Sequence, residues 1–430
     1  SGSNTVNQTG TYGTRGTAAA ANIPGAREQA AAWSDASGKF WLFGGYAFDA
    51  AGYRGHINDL WKYDPATGQW TWISGGNLVN QAGVYGTLGV PSPSNVPGAR
   101  MGAVSWVDPQ GLFWLFGGIG YAEGGAYGNL NDLWRFDPAT LEWTWVSGDP
   151  TVNMPGTYGT KGAADPANGP GARTGAVSWL DTTGLLWLFG GSGYDSAGDK
   201  GWLNDLWKYD PADSQWTWVS GGQTEGQPGV YGTKETPDPA NIPGGRYAAA
   251  AWSAQNGFLW LLGGDGLDSA GDRGDLNDLW KYDPATNQWA WFTGNDIRNS
   301  SGVYGTQDIA SASNYPGGRF GAARWLDSDG RLWLAGGCGR DSTALRGWLN
   351  DVWIFDPATE QWNWVSGSNI GSPYGVYGTL GTAATTNVSG ARYHAVSWID
   401  SQDKIWLFGG YGTDSVAKGG WLNDLWNFIL

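Results

Sequence analysis

The chain has 430 residues, 73 of them glycine and 31 tryptophan, and a formal net charge of −15 at pH 7. Aromatic residues at 15% exclude a disordered chain, and the acidic balance excludes a nucleic-acid partner, because phosphate binding needs clustered Lys and Arg. One cysteine, Cys338, excludes an intrachain disulfide, and no apolar run approaches the roughly 18 residues that mark a membrane-spanning helix.

Landmarks return every 73 residues. One arginine recurs at Arg27, Arg100, Arg173, Arg246, Arg319 and Arg392. A glycine pair opens at Gly44, Gly117, Gly190, Gly263, Gly336 and Gly409, and an Asn-Asp at Asn58, Asn131, Asn204, Asn277, Asn350 and Asn423. A fixed period of this length means one supersecondary unit copied and stacked. Within the second copy, Ala99 to Trp106 is a short apolar run after Pro97-Gly98, hence a strand. Asp108-Pro109-Gln110-Gly111 is a turn. Leu112 to Phe116 is apolar throughout, which predicts a strand covered on both faces. Ile119 to Gly128 is expected as a Gly-rich loop. Leu133 to Phe136 is a third strand, Asp137-Pro138-Ala139-Thr140 a turn, and Glu142 to Val146 an alternating fourth strand.

Four antiparallel strands make a small sheet that cannot bury both faces alone. Radial stacking of copies solves this and leaves only short edges. The expected fold is therefore all-β: a six-bladed propeller with four antiparallel strands per blade. The blades are expected at 24–73, 97–146, 170–219, 243–292, 316–365 and 389–430, after an N-terminal connection at 1–23. The double glycine after an apolar strand, the Asn-Asp-Leu-Trp-Lys-Tyr-Asp strand and the downstream Trp resemble the kelch repeat. More narrowly, they resemble the long bacterial kelch repeats related to the central domain of galactose oxidase.

The tryptophans fall on six positions of the repeat. Five, those of Trp33, Trp41, Trp61, Trp70 and Trp72, are expected as core between blades. The sixth holds His56, Asn129, Trp202, Asp275, Trp348 and Trp421. Its variety predicts a partly exposed loop position just before the third strand. His56, Trp202, Trp348 and Trp421 are thus the candidate binding surface, suited to sugar stacking or a protein contact. The repeated Arg and Asp are expected to form buried pairs, and the repeated Tyr12, Tyr85, Tyr158, Tyr231, Tyr304 and Tyr377 to pin the long connections.

The resemblance to galactose oxidase raises copper-radical chemistry, which needs two His, two Tyr and a Tyr–Cys crosslink. The histidines here are His56 and His394, with His394 at the position of Gln29, Gly102, Gly175, Ala248 and Gly321, and Cys338 stands apart from both. On that ground no catalytic residues, no enzyme and no cofactor are expected. Asp195 to Asp199 and Asp268 to Asp272 offer oxygen ligands for Ca2+, but turn chemistry is the better account.

The last copy has no counterpart of Ala66 to Ile73, which hold the outermost strand. Blade six is expected to expose an apolar edge at Leu425, Trp426, Phe428, Ile429 and Leu430, open to β-augmentation. Two functions are expected. One is a structural or adhesive scaffold, outside the cell or on its surface, that binds a protein partner or self-assembles through loops and edge. The other is a carbohydrate-binding propeller that takes a polysaccharide on its rim.

Overall fold

The computed structural model describes residues 1–428, and every regular element among them is a strand. The third copy shows the unit. An inner strand, Val177–Leu180, pairs antiparallel with Leu186–Tyr194; this pairs with Lys200–Asp210, and that with the outer strand Gln215–Ser220. The first turn forms because the Asp181 carboxylate accepts the Thr183 and Leu185 N–H groups and the Trp187 indole N–H, at 2.7 to 3.0 Å.

Leu186 to Phe189 are all buried because each face meets a neighbouring sheet. Trp187 and Phe189 pack with Leu259, Leu261, Trp280 and Trp289 of the fourth copy. Leu186 and Leu188 pack with Trp106, Trp114 and Phe116 of the second. The core is thus a set of aromatic layers between sheets, each large side chain stabilising by about 2 kcal/mol. Four of the five recurrent Trp positions lie there. The Trp72 position is half-buried in most copies, and Trp72 itself lies under the Arg15 guanidinium, 4.4 Å from its ring centroid.

The glycine pair makes a bulge. Pairing shifts register between Phe189 and Gly191, and Gly190 and Gly191 both adopt left-handed backbone, with φ of 65° and 96°. The bulge turns the Gly190 carbonyl toward the Arg173 guanidinium, 3.0 Å away.

Two hydrogen-bond systems organise the whole. The first is the buried latch in every copy. In the third, Arg173 donates two bonds to Asp205 at 2.6 and 2.7 Å, and the same carboxylate accepts from the Tyr158 hydroxyl and the Trp207 indole. The recurrent tyrosines do pin the connections, and they do so onto the arginine–aspartate pair. The second is a closed cycle of backbone bonds around the axis. Gln29 N donates to His394 O, Gly102 N to Gln29 O, Gly175 N to Gly102 O, Ala248 N to Gly175 O, Gly321 N to Ala248 O, and His394 N to Gly321 O, at 2.7 to 3.1 Å. One residue per copy takes part, and copy six bonds copy one, so the ring is closed.

Three expectations need correction. The sixth Trp position is in strand, not loop: the second and third strands run on past the glycine bulge, as in Phe113–Tyr121 and Tyr127–Asp137. The stretch expected as loop between Ile119 and Gly128 is therefore ladder at both ends, through Tyr121 and from Tyr127, and loop only between them, because backbone pairing continues across the bulge. Exposure at the sixth position is also mixed. His56, Asn129 and Asp275 are buried, whereas Trp202, Trp348 and Trp421 are half-buried.

In the sixth copy the described residues form the order Val396–Ile399, Ile405–Phe408, Leu425–Phe428. Leu425 N donates to Ser1 O at 2.9 Å, so Ser1 takes the place that Ser220 has beside Leu206. Leu425, Trp426 and Phe428 are half-buried along this edge. Ile429 and Leu430, also expected there, lie outside the described residues.

Candidate functional site at the axial mouth

The six residues of the backbone cycle all have left-handed φ, between 52° and 64°: Gln29, Gly102, Gly175, Ala248, Gly321 and His394. Glycine accepts this freely. Gln29, Ala248 and His394 carry strain on the order of 1 kcal/mol each, the kind of outlier that collects at working sites. The glycines leave room for their neighbours: a Cβ on Gly175 would strike the Tyr247 ring, and one on Gly321 the His394 imidazole.

Three side chains from copies one, four and six meet across the axis. The Gln29 amide donates to the Tyr247 hydroxyl at 2.8 Å and lies 2.8 Å from His394 Nδ1. His394 Nδ1 is also 3.2 Å from Glu28 Oε2, with those side chains 8% and 12% exposed. Nδ1 can accept from Gln29 or donate to Glu28, not both at once, so the imidazole tautomer and the Glu28–Gln29 contacts are coupled. Glu28 Oε1 accepts the Trp421 indole N–H at 3.0 Å. The Gln29 Oε1 atom is buried without a partner. Burial raises the Tyr247 hydroxyl well above its ordinary value, so it remains a donor.

Above this plug is a cavity of about 360 Å³, lined by Glu28, Tyr46, Met101, Asp265, Phe320 and Tyr393 beside the plug itself. Tyr46, Phe320 and Tyr393 make its walls aromatic, and the Tyr393 ring centroid lies 4.7 Å from that of His394. Outside this lining, Tyr411 links Trp421 and Trp348 through contacts of 4.8 and 5.2 Å between ring centroids. Arginines stand on the rim. Arg273 is bidentate to Asp265 at 2.6 and 2.9 Å and covers Trp202 at 3.8 Å; Arg346 is bidentate to Asp275. Arg54 lies over Trp421 at 4.7 Å and has no carboxylate partner among the described residues.

Of the four residues expected to form one surface, Trp421 belongs to the axial cluster and Trp348 adjoins it through Tyr411. Trp202 is on the far wall beneath Arg273. His56 is buried among Tyr46, Tyr121 and Tyr127, and burial lowers its pKa to about 4, so it is a neutral imidazole with an unpartnered Nε2. Sequence reasoning missed Glu28, Gln29, Tyr46 and Tyr247. The signal was there: their repeat positions vary between copies, as the sixth Trp position does. The Asp195 carboxylate that suggested Ca2+ accepts three backbone N–H groups, from Ala197, Asp199 and Glu225, the bonding of a turn.

Human multiple epidermal growth factor-like domains protein 8 is 27% identical over 227 residues, 53% of this chain and 6% of that protein. N-acetylneuraminate epimerase of Shigella flexneri serotype 5b is 27% identical over 200 residues, 40% of this chain and 44% of the epimerase. A second such epimerase, from Escherichia coli, matches over 201 residues. The chain therefore spans well under two thirds of the length of these relatives. The solved structure of YjhT covers 94% of this chain and 95% of its own, with a TM-score of 0.54 and 17% identity, a likeness of fold. The epimerases overturn the expectation that the chain is not an enzyme. The shortage of His and Cys argues against copper-radical chemistry alone, and proton transfer needs neither a metal nor a thiol. A family model described as the KLHDC2/KLHL20/DRC7 Kelch-repeats domain matches residues 87–307, and a Kelch motif model matches 328–365. With half its length under one family model and its ring of bulged four-stranded sheets, the chain belongs to the kelch-repeat family and is an all-β kelch propeller.

Proposed function

We propose that the axial mouth binds a sugar and catalyses proton transfer on it, with a carboxylate-bearing sugar such as N-acetylneuraminate as the first substrate to test. The observation that carries this reading is the asymmetric acid–base cluster of Glu28, His394, Gln29 and Tyr247 at the axis of a ring built from repeats. Epimerising a sugar requires one group to take a proton and another to return one. Glu28 is placed to take it and the Glu28–His394 pair to hold it, while the Tyr247 hydroxyl donates. Tyr393, Tyr411 and Trp421 offer faces for sugar stacking, and Arg54, without a carboxylate partner among the described residues, offers a cation for a carboxylate. The relatives named as N-acetylneuraminate epimerases support the substrate class. The test is turnover of N-acetylneuraminate and neutral sugars followed by proton NMR. Glu28→Gln is expected to lower kcat by about 10²-fold or more while binding persists. Equal turnover in Glu28→Gln, or none in the native protein with any sugar, sinks the reading.

A second reading attaches to the sixth copy: its edge receives an extended strand. In the other five copies a connection asparagine (Asn22, Asn95, Asn168, Asn241, Asn314) donates to an outer-strand Trp carbonyl at 3.0 to 3.3 Å. Among the described residues, Asn387 reaches only the Thr382 carbonyl. A groove of about 950 Å³ lies between that connection and Leu425 to Phe428. It suits an extended segment carrying the outer-strand pattern of the other copies, Trp-x-Trp preceded by Gln or, in the second copy, by Glu142.

A further inference from the structure

Beneath the Gln29–Tyr247–His394 plug, a channel of about 390 Å³ runs down the axis between the six inner strands toward the short-turn face, as far as Ser253 and Leu326. One layer of it holds Ala32, Ser105, Ser178, Ala251, Arg324 and Ser397, one from each copy. The polar members donate to the preceding copy: Ser105 Oγ to Ala32 O, Ser178 Oγ to Ser105 O, Ser397 Oγ to Arg324 O, and Arg324 Nε to Ala251 O, at 2.7 to 3.2 Å.

Arg324 is the one charge in that lining, and no carboxylate is among its wall residues. Its Nη1 and Nη2 groups have no hydrogen-bond partner among the described residues, and burial lowers its pKa. Arg324 is half-buried where it faces the channel, whereas the six fully buried arginines, Arg27, Arg100, Arg173, Arg246, Arg319 and Arg392, each hold an aspartate. A desolvated cation is tolerated when a counter-charge or ordered water meets it. The free edge of the guanidinium is a planar two-donor fork that matches two oxygens of one oxyanion.

We propose that the axial channel is an anion site in which Arg324 takes a small oxyanion, of the phosphate or carboxylate class, on its Nη edge. The plug separates it from the sugar mouth, so the ligand enters from the short-turn face. The hydroxyls of Ser105, Ser178 and Ser397 stand at the same level and can turn a proton toward the guest.

The test is calorimetric titration of inorganic phosphate into the full chain in chloride-free buffer. Saturable binding is expected with Kd on the order of 1 mM. Arg324→Met should weaken it about tenfold or more, and Arg324→Lys less, because Lys keeps the charge and loses the fork. Glu28→Gln should leave phosphate affinity unchanged, so failure here and failure of the sugar reading are distinguishable. Unchanged thermal unfolding shows that each variant is folded; if Arg324→Met perturbs the fold, Arg324→Lys carries the comparison alone. No saturable binding to the native chain, or equal affinity in the folded Arg324 variants, overturns the proposal.

Discussion

Replacing Asp205 by Ala should cost the third blade its latch and much of the stability of the ring. The carboxylate holds four donors: two from Arg173, one from Tyr158 and one from Trp207. Both charged side chains are about as buried as a side chain can be, 1% and 0% exposed. Stranding one member of a buried ion pair costs about 3–5 kcal/mol, and each orphaned hydroxyl or indole donor adds about 1–3 kcal/mol. The expected loss is therefore roughly 5–11 kcal/mol, comparable with the net stability of a typical domain. Urea unfolding would measure it, and hydrogen exchange would place the weakened amides in residues 157–220. Arg173→Met should cost about 3–5 kcal/mol by stranding the carboxylate, and the double variant Arg173→Met/Asp205→Leu should lose less than the sum. A loss under about 1 kcal/mol for Asp205→Ala, or simple additivity in the cycle, would refute the view that the recurrent Arg and Asp are one buried unit.

Stability should also depend on His56. Its folded pKa, about 4, is below the unfolded value of 6.5, so the unfolded chain binds the proton more readily. The contribution is complete above pH 6.5 and is lost as pH falls toward 4, about 3 kcal/mol in all. His56→Asn, the residue that copy two carries at Asn129, should flatten the denaturation profile across that window; an unchanged profile contradicts the buried neutral imidazole. Trp421→Ala removes the indole that holds Glu28 Oε1 and should raise KM about tenfold for any sugar turned over, where an unaltered KM would remove Trp421 from the site. A peptide copying residues 359–366 should bind the sixth copy with micromolar affinity. Equal binding by the same peptide with both Trp replaced by Ala would argue against a fitted strand groove.

The fold was legible because its causes repeat. Arg173, Gly190, Gly191 and Asp205 occupy the same phase in every copy, and each is explained by a contact within its own blade: the bulge, the ion pair and the tyrosine tie. The Trp positions were readable for the same reason. The axial site was not, because it is built from the residues that break the pattern. Gln29 meets Tyr247 across 218 positions of sequence and His394 across 365. Only ring closure brings those copies together. A left-handed φ at Gln29 and His394 is equally silent in sequence, although glycine at Gly102, Gly175 and Gly321 hints at it. The same blindness explains the sixth Trp position. Its variety marks a wall of the mouth, and strand pairing past the bulge, invisible to turn chemistry, decides which members are buried.

The chain's two histidines make the central claim directly measurable. Imidazole signals of His56 and His394, assigned by His56→Asn, can be followed by NMR while N-acetylneuraminate and then neutral sugars are titrated in. The His394 signal should shift saturably with one of these sugars, and the shift should be altered in Glu28→Gln because Glu28 shares its Nδ1. A sugar that binds with His394 unmoved, or a His394 signal indifferent to every sugar tested, would contradict an axial sugar site.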